Sequence, residues 1–336
     1  MKSRIFIFFI AMLLIVGLSQ SALGASKGPI KIDAINFLSG EAAKVFYQEE
    51  FNDYVNARAC GKLVINYRGG QELFPMREQA EAVIKGVVDM TVIASTFFQS
   101  IVPEVILLAV SEQDDFGFHR VNDERKPGGV YDFVNEGMMK KGLYMLGRGQ
   151  IYNPTFFYTN YEDFKTVDDI KKVKVAVPGT SYLNWIKALG GNPSFIQTSE
   201  RYTALERGVV NSIASSHNNA VRHRWYEVIK YWIEPPFKTN AGVIFMMNLK
   251  KWKSLPKDMK DLLTEAMIWA ESKQAMFNIG LNTYYEMILK SNGMRPLQLQ
   301  GDTKYWRTSF DEVAWGDLKK SVSAEKYKKA RELAKR

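Results

Sequence analysis

Between residues 168 and 219 the chain switches repeatedly between two hydrophobic periods. Residues 172–177 (KVKVAV) alternate with period two and are rich in valine, which predicts a strand. Pro178-Gly179-Thr180-Ser181 breaks that pattern and supplies hydroxyls for a helix start. Residues 182–189 fit one short helix, stopped by Gly190-Gly191. Residues 193–197 predict a second short strand. Thr198 or Ser199 can cap a helix over 200–207, which stops at Gly208, and 209–215 return as a third strand. Such a parallel α/β unit binds ligands beyond the carboxyl ends of its strands. Those ends are 176–180, 197–199 and 215–218.

The same periods run through the rest of the chain. Residues 30–37 (IKIDAINF) predict a strand, 41–57 a helix with Val45, Phe46, Phe51 and Val55 near one face, and 63–67 a second strand. A helix over 76–85 and a strand over 87–93 complete a first β-α-β-α-β unit. Residues 97–118 are apolar and irregular. A helix over 131–141 and strands over 142–146 and 153–160 precede the central unit. A helix over 225–232 and a strand over 242–248 come after it. A long helical run from 256 to about 290 carries an apolar stripe through Leu262, Leu263, Met267, Ala270 and Met276, with a bend expected at Gly280. Asn292-Gly293 reads as a turn, and short helices finish the chain.

The first 24 residues change the picture. Lys2 and Arg4 precede a mostly apolar run over 5–18, then polar residues and Ala22-Leu23-Gly24. That is the pattern of a secretory signal peptide, with cleavage expected near Gly24 and Ala25. The run is short of the roughly 20 residues a membrane-spanning helix needs. Composition adds less. The 336 residues are 46% hydrophobic and 24% charged, which suits a folded two-domain chain. The net charge of +9 is spread among acids and no nucleic-acid motif accompanies it, so it reads as solvated surface. Cys60 is the single cysteine, which excludes an internal disulfide and a cysteine metal cluster.

Enzyme signatures are missing. The three histidines, His119, His217 and His223, do not form a zinc-hydrolase motif. The sequence has no Gly-x-Ser-x-Gly elbow and no phosphate-binding glycine loop. Acidic pairs such as Asp168-Asp169 and Asp114-Asp115 read as helix caps or loop residues. No cofactor is called for.

Three consecutive segments, "DDIKKVKVAVPG", "KALGGNPSFIQTSERYTALERGVVNS" and "YEVIKYW", carry a resemblance. In order and spacing they are similar to signatures of the DctP-type solute-binding proteins that serve TRAP (tripartite ATP-independent periplasmic) transporters. The resemblance implies an α/β, two-lobed, periplasmic-binding-protein-like fold. Its hinge would be two crossing strands, with a long helix spanning both lobes. Residues 25–154 plus 242–280 would form one lobe, and 155–241 plus 281–336 the other. It further implies a periplasmic protein that closes over a small organic molecule and delivers it to a TRAP-type membrane permease. In that family an arginine on the central strand holds a ligand carboxylate, and Ala176 stands there in this chain.

The cleft residues expected from the strand ends and the matched positions are Asn36, Phe37, Gln71, Thr96 and Phe97 from the first lobe. From the second they are Phe156, Ala176, Thr180, Tyr182, Thr198, Ser215, Ser216 and His217. Small polar and aromatic groups at these positions point to a neutral or partly apolar ligand. Arg148 and Lys238 are the alternative cations, although each reads first as an exposed side chain. Three other readings stay open: a subunit that presents its ligand to a sensory receptor, a periplasmic enzyme using Ser215 or His217, and a scaffold whose cleft has decayed.

Overall fold

The computed structural model describes residues 28–37, 48–110, 124–149, 154–239 and 242–334. The expected signal peptide and the start of the helix expected from residue 41 lie outside them.

The first half forms β1 (Ile30–Asn36), α1 (Gln48–Arg58), β2 (Leu63–Gly69), α2 (Met76–Ile84), β3 (Met90–Ala94) and the short α3 (Ser95–Phe98). A 3-10 turn at Pro103–Leu108 then leads through α4 (Val130–Lys140) to β4 (Leu143–Gly149). The central unit forms β5 (Thr155–Thr159), β6 (Lys174–Val177), α5 (Thr180–Ala188), β7 (Asn192–Phe195), α6 (Arg201–Glu206), β8 (Ser212–Ser215), α7 (His217–Arg222) and β9 (Tyr231–Lys238). The chain closes with β10 (Val243–Asn248), α8 (Leu249–Ser254), α9 (Lys257–Ser291), β11 (Arg295–Gln298), α10 (Thr303–Ser321) and α11 (Ala324–Ala334).

Two sheets result, with strand orders β2-β1-β3-β10-β4 and β11-β9-β5-β8-β6-β7. Taken from its β7 edge, the second sheet repeats the first. β6 lies parallel between β7 and β8 as β1 lies parallel between β2 and β3. The next strand, β5 or β10, is antiparallel in both. The β4–β5 and β9–β10 connections therefore cross between sheets, and each crossing strand takes the same place in its new sheet. Interior strands such as β3 (MTVIA) and β10 (VIFMM) read as continuous apolar runs because both faces are buried.

The repeat extends to local hydrogen bonds. Gly86 (φ +71°) and Gly208 (φ +68°) end α2 and α6 in the left-handed region. Val87 N then donates to Ala82 O and Val209 N to Ala204 O, both at 2.9 Å. Asp89 Oδ2 accepts from Asp33 N at 3.0 Å, and Asn211 Oδ1 from Lys174 N at 2.9 Å. These turns explain one difference from the sequence reading. The strands expected from 87 and 209 begin at Met90 and Ser212, because each Gly-Val-Val is spent on the helix exit.

The helix expected over 225–232 is instead a 3-10 turn, Trp225–Glu227, leading into β9. Trp232 pairs with Tyr158 of β5 and Pro296 of β11, so tertiary pairing overrides the local period. Pro235-Pro236 lies where the β5 register shifts between Thr155 and Phe157, which tolerates their missing donors. Through Gly280, where a bend was expected, the hydrogen-bonded helix runs unbroken for 35 residues. Beyond Gly293 the chain adds β11 and the 19-residue α10, where only short helices were expected.

α9 ties the lobes together. It packs on α1 and β4 near its start and on α7 near its end. Buried Glu271, at its middle, accepts from Arg125 Nη2 at 2.8 Å, from Arg148 N at 2.8 Å and from the Tyr131 hydroxyl. α10 packs on α5 and β9, and α11 returns to α4 and the 103–108 turn, where Lys326 pairs with Glu104. Under α5 and α10 the core is aromatic. Trp185 stacks on Phe237 at 4.1 Å and donates its indole N–H to Ser309 Oγ at 2.8 Å.

Candidate functional site

The second sheet offers one face built from alternate residues of its strands. Phe156 is opposite Ser215, Tyr158 is opposite Ile213, and Ile213 is also opposite Ala176. These residues therefore share a face, and Ala176 is fully buried in a cluster with Phe156, Ile213 and Trp225. His217 opens α7 directly beyond β8. Its ring stacks on Phe156 at 3.9 Å and meets Trp232 edge-on at 5.4 Å. Its Nδ1 lies 2.6 Å from the Tyr158 hydroxyl. Burial, helped by Lys290, pulls the His217 pKa down to about 3, so the ring is neutral at pH 7. Burial holds the Tyr158 hydroxyl well above its usual pKa, so both partners of this contact are neutral and the tautomer of His217 sets which of them donates. His217, expected in the cleft, thus sits in a buried aromatic stack, and Ser215 Oγ accepts from Asn219 Nδ2 at 3.1 Å.

Three buried cations lie around this face and the crossing strands. Arg148 and Lys238 read as exposed in the sequence, yet each is 1% exposed. Arg148 is at the end of β4, where Nη2 donates to Glu124 Oε1 at 2.6 Å while Nε has no hydrogen-bond partner among the described residues. Lys238 ends β9 opposite Thr155, with its ammonium 4.4 Å from the Phe310 ring centre and 5.8 Å from that of Tyr182. The third cation, Arg201, was missed. It opens α6 inside the segment 'SERYTALE' and is also 1% exposed. The available signal was its spacing. Arg201 and Leu205 are four apart, so they share the inward face of a short helix.

The other expected residues divide between the lobes. Tyr182 is buried among Phe237, Phe310 and Lys238, and its hydroxyl interacts with Thr155. Thr180 is exposed at the first turn of α5, Thr198 is half-buried before α6, and Ser216 is buried before α7. In the first lobe Asn36 is buried, and its side chain donates to Gln48 Oε1 at 2.6 Å. Gln71 is exposed and donates to Phe37 O at 2.6 Å. Asn36 and Phe37 are thus at the end of β1, and Gln71 reaches them from just beyond β2. Phe97 on α3 is half-buried against the first core, and the Thr96 side chain lies outside the described residues. Across the lobes, Ser181 of α5 donates to Gln99 just beyond α3. Among the described residues no three His, Cys, Asp or Glu side chains come together to hold a metal. No described helix is long and apolar enough to cross a membrane.

Two repeated α/β lobes, two crossing connections and a helix laid along both define a two-lobed solute-binding protein. The chain belongs to the bacterial extracellular solute-binding proteins, family 7 (DctP), matching over residues 39–316. An uncharacterized protein of Haemophilus influenzae is 27% identical over 142 residues, which is 42% of each chain. The uncharacterized protein YiiZ of Salmonella typhimurium is 25% identical over 261 residues, covering 74% of this chain and 71% of that one. Among solved structures, DctP7 of Bordetella pertussis, a receptor binding pyroglutamic acid, superposes with a TM-score of 0.77 at 16% identity. That match covers 91% of this chain and 99% of the other. A TRAP solute-binding protein of Ochrobactrum anthropi, with a C-terminus in its ligand pocket, gives 0.78 at 20% identity, covering 92% and 95%. One from Sulfitobacter with bound β-D-galacturonate gives 0.76 at 15% identity, covering 91% and 99%. These likenesses confirm the two-lobed α/β fold.

Proposed function

We propose that this protein is the periplasmic receptor of a TRAP-type transporter. It captures a small organic acid between its lobes and delivers it to the membrane permease. The observation that carries this reading is a group of buried polar atoms near the crossing connections that have no partner among the described residues. Ser95 Oγ follows β3, Arg148 Nε is at the end of β4 and Thr239 Oγ1 follows β9, and none has a hydrogen-bond partner among the described residues. Leaving such atoms unsatisfied costs about 1–3 kcal/mol each, which a solute bridging the lobes would recover. Closure is then a population shift, because only the shut form lets one solute touch both sets. Structural relatives bound to pyroglutamic acid, galacturonate and acetolactate support an acid as the ligand class. Position 176 is alanine, so the acid must find its cation at another position.

A thermal-shift screen of the exported form, residue 25 onward, tests the reading. A ligand at 100 times its Kd stabilises by about 2.7 kcal/mol. Carboxylates should raise the midpoint and be recovered unchanged. Turnover of the bound compound would instead support an enzyme. N-terminal sequencing of the periplasmic fraction should begin at Ala25.

A further inference from the structure

Arg201 is a buried guanidinium whose charge is not balanced by any described carboxylate. Of its five N–H groups, only Nε–H has a hydrogen-bond acceptor among the described residues, Ile196 O at 3.1 Å. The chain treats its other inward-facing arginines differently. Arg125 pairs with Glu271 at 2.8 Å and Arg148 with Glu124 at 2.6 Å. An isolated buried cation is costly to hold, so a persistent one calls for an anion that arrives from outside.

The neighbours of Arg201 are suited to such an anion. Its guanidinium lies 5.9 Å from the ring centre of Trp225, which is fully buried and whose Nε1–H also has no hydrogen-bond partner among the described residues. Tyr182 is near enough to act on its charge. Burial, opposed by Tyr182, brings the Arg201 pKa down to about 10, which still leaves it protonated at pH 7. Trp225 belongs to the same buried cluster as Phe156, Ala176 and Ile213. Donors therefore stand beside a largely apolar wall, whose Tyr158 and Ser215 hydroxyls are already engaged with His217 and Asn219.

We infer that Arg201 is the anchor for the solute's carboxylate. Its two Nη groups form a bidentate pair with the acid, Trp225 Nε1 donates beside them, and the Phe156–Ala176–Ile213 face receives the solute body. The ligand class is a compact monocarboxylate with an apolar or planar body, rather than a hydroxyl-rich sugar acid. This inference rests on the reading of the protein as an organic-acid receptor.

Isothermal titration of the whole exported protein with pyroglutamate, acetolactate, benzoate and glucuronate tests it. Pyrrolidinone and benzamide serve as controls without the carboxylate. A compact acid should bind and its uncharged control should not. Arg201→Gln should weaken that acid by a factor of about 10–100. The same variant should leave the unliganded melting temperature unchanged or higher, since an unpaired buried charge has been removed. A residue with only a structural role would lower both. Arg201→Lys keeps the charge but loses the paired geometry, so it should fall between and serves if the glutamine variant does not fold. Acid binding unaltered in both variants overturns the role of Arg201 and leaves the receptor reading standing. Glucuronate binding with failure of the compact acids overturns the ligand class. A wild-type protein that binds no acid overturns both the anchor and the receptor reading.

Discussion

Replacing Glu271 by alanine should be among the most damaging single changes in the chain. Its carboxylate is fully buried at the middle of α9 and faces the Arg125 guanidinium, the Tyr131 hydroxyl and the Arg148 amide. Truncation leaves the largely buried Arg125, whose side chain is 13% exposed, without its anion. Breaking a buried pair from one side costs about 3–5 kcal/mol. The unfolding entropy of a 336-residue chain is about 0.7 kcal/mol per kelvin, so the midpoint should fall by about 4–7 °C. Thermal unfolding monitored by circular dichroism measures this. Glu271→Gln retains an acceptor oxygen and should lose less. Tyr131→Phe removes one donor and should cost about 1.5–3 kcal/mol alone, but much less in the Glu271→Ala background. A fall below about 1 °C in Glu271→Ala, or simple additivity with Tyr131→Phe, would refute the account of a shared buried network.

Three further changes have defined outcomes. His217 has a folded pKa of about 3 against an ordinary value of 6.5, so the unfolded chain binds its proton first as pH falls. Its contribution is complete above pH 6.5 and is lost between there and about 3. At pH 5 the loss is about 2 kcal/mol, and His217→Phe should flatten that part of the urea-stability profile. Trp185→Ala removes a fully buried indole stacked on Phe237 and should cost about 3–5 kcal/mol in urea unfolding, with a smaller loss refuting its place in the core. Gln99→Ala removes the acceptor of the Ser181 hydrogen bond between lobes. It should weaken solute affinity several-fold and increase the radius of gyration by small-angle scattering, and an unchanged radius would count against a role in closure.

The amount legible in the sequence differed between elements for physical reasons. β6, α5 and β7 were readable from period and punctuation, since KVKVAV, Gly190-Gly191 and the intervening helix are decided within a few residues. Gly86-Val87-Val88 and Gly208-Val209-Val210 misled because valine favours strands on average, whereas the left-handed glycine commits the two valines after it to the helix exit. β9 could not be read locally, because its partners β5 and β11 are more than 50 residues away in each direction.

For the candidate site, the sequence by itself determined its scaffold. Alternating strands, glycine stops and three consecutive motifs place Ala176, Ser215 and His217 at strand ends beyond which a ligand can lie. Tertiary structure alone decided the environment of each charge. Arg148, Arg201 and Lys238 look alike in sequence to any surface cation, and only packing from distant segments buries all three. Only packing, too, gives Arg148 a carboxylate and leaves Arg201 without one among the described residues. Hydrophobic period is a property of neighbours along the chain, while the cost of burying a charge depends on what the fold brings beside it from elsewhere.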